Sequence, residues 1–188
     1  QSIFEYQTMI CDLTGMDVSN ACVYDGAEAA AEGVAMCQER KRKKAFVSAA
    51  ILPDALATIH TYCHGNGMEI VEIPEKDGVT DLDYLKENID EQTACVYIQH
   101  PNYYGNLEDA QAIGEIAHGV GAKYIMGVNP ISLGIIKTPA EYGADVAGGW
   151  TATGTSTWIW RTILRIYGSH RRHDEKASGK NCRSDRRS

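Results

Sequence analysis

A chain of 188 residues with 44% apolar and 23% charged residues can build one domain with its own core, and its composition is ordinary for a globular protein. No apolar run approaches the ~20 residues of a membrane-spanning helix, and Gln1–Met9 has neither the basic nor the apolar region of a secretory signal, so a cytoplasmic location is expected. The net charge of −7 hides a split: residues 1–149 carry 9 Lys and Arg against 22 Asp and Glu, whereas residues 150–188 carry 9 against 3 and hold all three tryptophans, Trp150, Trp158 and Trp160.

The chain opens on Gln1 rather than Met, with a helical pattern and no capping residue before it, which suggests a piece of something longer. Ile3, Phe4, Met9, Ile10 and Leu13 recur at near-helical spacing, and Gly15 stops that helix. Asn20–Asp25 is short and flanked by turn residues. The Ala-rich stretch Gly26–Gln38 predicts a second helix. The basic run Arg40-Lys41-Arg42-Lys43-Lys44 follows. A nucleic-acid or phosphate contact is one reading, and a solvated helix end where cations offset the dipole is the other.

A strand–helix rhythm then sets in. Ala45–Ile51, Glu69–Ile73, Thr93–Gln99 and Lys123–Val128 read as strands. Pro53–Asn66, Asp81–Ile89 and Leu107–Val120 read as helices, the first with proline in its opening turn and the second capped by Thr80 or Asp81. Apolar strands alternating with helices predict an α/β fold, a mostly parallel sheet covered on both faces. In such sheets ligands bind beyond the carboxyl ends of the strands. Three stretches there could orient one: Tyr24-Asp25-Gly26-Ala27, which enters a helix N-terminus suited to an anion; Gln99-His100-Pro101-Asn102-Tyr103-Tyr104-Gly105; and Asn129-Pro130-Ile131-Ser132-Leu133-Gly134. Ordinary turn chemistry explains each taken alone.

His100 could serve as a general base, but the spacing specifies no partner, so a satisfied loop histidine reads as well. His60 and His64 lie one helical turn apart without a carboxylate motif, too little for zinc. The six cysteines, Cys11, Cys22, Cys37, Cys63, Cys95 and Cys182, are irregularly spaced with no C-x-x-C pair. Reduced thiols are expected, with no metal site. There is no P-loop, G-x-S-x-G or G-x-G-x-x-G motif.

Taken together in order, Phe4–Met16 (FEYQTMICDLTGM), Tyr24–Ala27, Pro101–Gly105, Asn129–Gly134 and Pro139–Asp145 (PAEYGAD) resemble subunit 1 of the split P-protein of the glycine cleavage system, over about Gln1–Val146. The resemblance implies a partial large domain of the pyridoxal-phosphate-dependent, aspartate aminotransferase-like fold. It implies decarboxylation of glycine in a complex, with the aminomethyl group passed to lipoyl H-protein. In that family the cofactor lysine belongs to subunit 2. Pyridoxal phosphate is therefore expected in the complex and none on this chain, with subunit 2 and H-protein as partners and no catalytic residue here. By position Asp25, Gly26 and Ala27 correspond to a vestigial phosphate loop, Asn102 is a further vestigial cofactor position, and Asn129 stands where cofactor-binding relatives place an aspartate for the pyridine nitrogen. Another aminotransferase-fold enzyme and a nonfunctional gene remnant are the alternatives.

The resemblance stops near Ala147, which makes residues 1–147 the domain and residues 148–188 a tail. Codons can be chosen for Gly148–Gly154 (GGWTATG) that, reread one base later, spell G-D-G-Q-P-L-G. Trp158–Tyr167 (WIWRTILRIY) likewise yields G-F-G-G-P-Y-L-G-F-M. Both products resemble the family's continuation. The tail therefore reads as an out-of-frame segment, expected to be disordered, whose charge carries no functional message. A basic nucleic-acid-binding tail is the rival.

Overall fold

The computed structural model describes residues 1–21, 23–150, 165–169 and 182–183. Five helices fall in chain order: α1 Ser2–Thr14, α2 Gly26–Met36, α3 Pro53–Asn66, α4 Leu82–Asn88 and α5 Ala110–Gly119. Ten strands accompany them: β1 Val18–Ser19, β2 Lys44–Ser48, β3 Glu69–Ile73, β4 Glu75–Lys76, β5 Val79–Thr80, β6 Thr93–His100, β7 Lys123–Val128, β8 Val146–Trp150, β9 Arg165–Ser169 and β10 Cys182–Arg183. The main sheet runs β10-β1-β9-β8-β7-β6-β2-β3. The run from β3 through β2, β6 and β7 to β8 is parallel, while β9, β1 and β10 attach antiparallel. The fold is α/β, as the alternation implies.

Side-chain alternation places the core. On β6, Cys95 and Tyr97 join the cluster under α2 and α3, with Ala45 and Val47 of β2. Val96 and Ile98 point the other way, into the cluster under α4 and α5, with Phe46, Leu85, Ile113 and Ala117. A strand buried on both faces needs apolar residues at every position, which is why β6 reads as a continuous run. Where β7 meets β8 the chain needs glycine. A Cβ on Gly149 would lie on the Val128 carbonyl, and one on Gly127 on the Tyr97 hydroxyl.

Helix ends follow their sequence signals. Asp81 accepts from the Asp83 and Tyr84 amides at 2.9 and 3.0 Å, and Asp109 accepts from Ala112 at 3.1 Å. Gly15 ends α1 in the left-handed region at φ 74°. Its Cβ position is also taken, since an added methyl would lie 2.8 Å from the Ala140 Cβ.

Several boundaries differ from the expectation. β2 stops at Ser48, because residues 49–51 turn into α3. α5 begins at Ala110 rather than Leu107, the preceding loop being held by other bonds. On α1 the apolar set, Ile10 apart, points outward. Ile3, Phe4, Met9 and Leu13 are exposed, and Gln7, Ile10, Cys11 and Thr14 form the buried face. The basic run is not the end of α2, which closes at Cys37. It leads into β2, where Arg42 donates to the carbonyls of Thr93 and of Val120, the C-cap of α5, and Lys44 pairs with Asp90 at 2.7 Å. The cation–helix-end pairing exists, but with a helix 78 residues away in sequence. Within the tail, residues 148–150 belong to β8, and 165–169 and 182–183 form β9 and β10. The expected disorder of the rest falls on residues 151–164, 170–181 and 184–188, which lie outside the described residues.

Candidate functional site at the carboxyl end of the sheet

The three stretches singled out in the sequence converge on one end of the sheet, because β2, β6 and β7 run parallel and α2 returns antiparallel to them. The connection after β6 is the most firmly held. A cis peptide joins His100 to Pro101. Asn102 lies behind it, buried, and bonds in four directions. Its Nδ2 donates to the Gly78 carbonyl and to Glu108 Oε1, both at 2.8 Å, and its Oδ1 accepts from the Tyr104 and Asn106 amides at 3.1 and 3.0 Å. Glu108 Oε2 accepts from the Thr80 amide at 2.9 Å, and the Thr80 and Ser48 hydroxyls meet at 2.8 Å. The Glu108 amide donates to His100 Nδ1 at 3.2 Å. His100, the last residue of β6 rather than a loop residue, is therefore satisfied at Nδ1, whereas its buried Nε2 meets no hydrogen-bond partner among the described residues. Burial pushes its pKa down, so it sits neutral, edge-on to the Tyr142 ring at 5.2 Å.

This buried network mounts an exposed tip. Tyr103 and Tyr104, rings 5.3 Å apart and edge to face, are 51% and 53% exposed, and Leu107 is 59% exposed. The connection after β7 differs. Asn129 Oδ1 accepts from the Ile131 amide at 3.0 Å, and the Ser132 hydroxyl donates to the Asn129 carbonyl at 2.6 Å. Ile131 and Ile135 project outward at 60% and 93% exposure.

At the start of α2 the helix satisfies itself. The Glu28 amide donates to Asp25 Oδ1 at 2.7 Å. Glu28 in turn accepts from the Tyr24 amide at 2.6 Å and from the Tyr62 hydroxyl at 3.2 Å. Burial, then the charge of Glu28, raises the pKa of Glu32 beside it. Gly26 is buried and Ala27 half-buried. Among the described residues no Lys or Arg forms an ion pair with Asp25, Glu28 or Glu32.

The other candidates separate. His60 pairs with Glu72 at 2.9 Å and His64 lies exposed at the end of α3. Among the described residues no group of three metal-ligating side chains comes together. Cys11, Cys37, Cys63 and Cys95 are buried, and burial pushes the Cys63 thiol up to about 11, which keeps it protonated. The β4–β5 hairpin, which supplies Gly78 and Thr80 to the network, was missed in the sequence. Asp77-Gly78, with φ 56° and 77°, is the signal that marks it.

Residues 1–153 match the family model of the glycine cleavage system P-protein. The chain belongs to that family. The probable glycine dehydrogenase (decarboxylating) subunit 1 of Carboxydothermus hydrogenoformans is 49% identical over 150 residues, 79% of this chain and 34% of that protein. Its counterpart in Halalkalibacterium halodurans is 47% identical over the same length and shares. The chain thus spans about a third of the length of these relatives. A crystal structure of glycine decarboxylase (P-protein) in inhibitor-bound form superposes with a TM-score of 0.80 at 34% identity, over 92% of this chain and 39% of that one. An alanine–glyoxylate aminotransferase from Nostoc sp., at TM-score 0.70 and 16% identity over 93% of this chain and 46% of that one, shares the fold. The chain is therefore part of an α/β domain with an aminotransferase-like fold. No helix among the described residues is long and apolar enough to cross a membrane.

Proposed function

We propose that this chain is part of the cofactor-free subunit 1 of glycine dehydrogenase (decarboxylating). In that role it supports glycine decarboxylation on pyridoxal phosphate held by subunit 2, and aminomethyl transfer to lipoyl H-protein, in the cytoplasm. The observation that carries the reading is the match of residues 1–153 to the P-protein family, with relatives named subunit 1 over the same stretch. The site chemistry supports it. Pyridoxal phosphate needs a receiver for its phosphate, an acidic partner for its ring nitrogen and a lysine for its aldehyde. Here the vestigial phosphate loop Asp25–Ala27 carries a carboxylate, Asn129 is neutral and bonded to its own turn, and Lys137 lies exposed over the Tyr142 ring at 5.9 Å. These residues do not fit the cofactor. Asn102, the remaining vestigial position, is consumed by the network behind the Tyr103–Tyr104 tip. What this face offers instead is that rigid aromatic tip and the exposed Ile131 and Ile135, groups suited to a partner subunit.

The same reading takes residues 1–147 as the domain and treats residues 148–188 as translated out of frame. The opposite net charges of residues 1–149 and 150–188 support this, as does a family match that ends at residue 153. The coding DNA decides it: if the alternative frame does not spell the family's continuation, the tail is a genuine extension. Function is tested by mixing the chain with subunit 2 and measuring copurification and glycine–bicarbonate exchange. Binding and exchange support the assignment. No binding makes the chain a nonfunctional remnant. Saturable visible cofactor absorbance on the chain alone would instead favour an independent pyridoxal-phosphate enzyme.

A further inference from the structure

We infer that Asp25 and Glu28 are specificity determinants that close the α2 N-terminus to phosphate, standing in its place with their own carboxylates. The inference rests on the proposed function for one premise, that the ligand to be excluded here is a phosphate-bearing cofactor. The rest is geometry. Asp25, in extended conformation, leads into an 11-residue helix at the carboxyl end of a parallel sheet, the usual arrangement for receiving a phosphate on free amides. Three features oppose it here. The amide of residue 28, one of the donors a phosphate would use, is bound to Asp25 Oδ1 at 2.7 Å. Glu28 is held against the helix start by the Tyr24 amide at 2.6 Å and the Tyr62 hydroxyl at 3.2 Å, so its charge is fixed there. Asp25, Glu28 and Glu32 all act on Tyr62, so the three lie together, and no described Lys or Arg pairs with them. A dianion entering this place would displace one carboxylate and face the others in a partly buried setting, where like charges are weakly screened.

Asp25 and Glu28 divide the task. Asp25 occupies the donor, and Glu28 supplies a second negative charge while tying α2 to Tyr62 of α3. Gly26 and Ala27, small enough for a phosphate to approach the backbone, lie buried and half-buried at the same helix start.

The test uses the full chain, inorganic phosphate as probe, and the amide resonances of positions 26–28 as readout. The unaltered chain should show no saturable shift. The variant D25G/E28Q, which removes both charges and opens the cap, should gain saturable phosphate binding localised at those amides, tighter by about tenfold or more. Glycine is tolerated at a helix N-cap, and glutamine can accept from the Tyr24 amide through Oε1 while its NH2 donates to the Tyr62 oxygen. If that variant fails to fold, by circular dichroism, the isosteric D25N/E28Q replaces it and should show a smaller gain. Saturable binding to the unaltered chain at positions 26–28, or a folded variant that stays flat, overturns the inference. A variant that gains phosphate, in a chain that never supports exchange with subunit 2, keeps this inference and removes the functional reading. Exchange together with a flat variant does the reverse.

Discussion

The connections after β6 and after β7 leave adjacent parallel strands, each carries an asparagine just past the strand end, and each exposes apolar groups at its tip, yet they are built on different principles. After β6, Asn102 and Glu108 draw bonds from residues 24 to 28 positions away, on the β4–β5 hairpin, and the hairpin reaches back to Ser48, the last residue of β2. After β7, the side chain of Asn129 and its carbonyl bond, among the described residues, within two or three residues of themselves. The first is a buried plate holding Tyr103 and Tyr104 in fixed geometry. The second is a surface turn that can adjust. An asparagine at a strand end thus has two physical meanings, and the difference lies in burial: Asn102 is 4% exposed, so every polar atom must be satisfied by protein.

The largest expected effect breaks the plate. Asn102→Ala removes four side-chain hydrogen bonds and leaves Glu108 Oε1 without its donor in a buried setting. A loss of about 3 kcal/mol in unfolding free energy is expected, the scale of a buried carboxylate stripped of a partner. Denaturant melts measure it. A change below about 1 kcal/mol would mean that the network does not hold the loop.

Much of the fold was legible because it rests on local rules. α3 and the strands β3 and β7 have the bounds their patterns give, since proline, glycine and apolar runs bracket them. β8 was missed because Val146–Trp150 is small and glycine-rich. It is a strand because Gly149 must pass the Val128 carbonyl, a tertiary demand that local propensity does not record. The site was legible as a place rather than as a set of roles. Strand ends marked where Asp25, Asn102 and Asn129 would gather. Whether each is free for a ligand depends on partners distant in the chain, Gly78 and Thr80 for the Asn102–Glu108 network and Tyr62 for Glu28. Spacing along one strand cannot carry that information.

An intermediate effect tests the plate through pH. His100 accepts from the Glu108 amide, and burial holds its pKa below the ordinary 6.5. Above that ordinary value the imidazole is neutral in both states and contributes no pH dependence. As pH falls below it, the unfolded chain takes up the proton and the folded chain resists, so stability falls until the folded pKa is reached. Thermal melts between pH 7.5 and 5, a window around the unperturbed histidine pKa of about 6.5, should show a steeper decline for the unaltered chain than for His100→Gln, which has no imidazole to titrate. Parallel declines would show that His100 is protonated as readily folded as unfolded.

The smallest effect sharpens the contrast. Asn129→Ala deletes the bond from the Ile131 amide, but that amide is at the surface and water replaces the side chain. The Ser132 hydroxyl and the Ser132 amide still donate to the backbone carbonyl of residue 129, so the turn keeps both of those ties. A loss of about 0.5 kcal/mol is expected, several times less than at Asn102 although the residue type is the same. Asn129→Asp should be equally mild, since the Ile131 amide donates to a carboxylate as readily as to an amide oxygen. A loss at position 129 comparable to that at 102 would mean that the turn carries buried structure, and the distinction between a fixed plate and an adjustable turn would fall. A mild result leaves the β7 turn, with Ile131 and Ile135 at its tip, free to settle against a partner while the tyrosines after β6 stay in place.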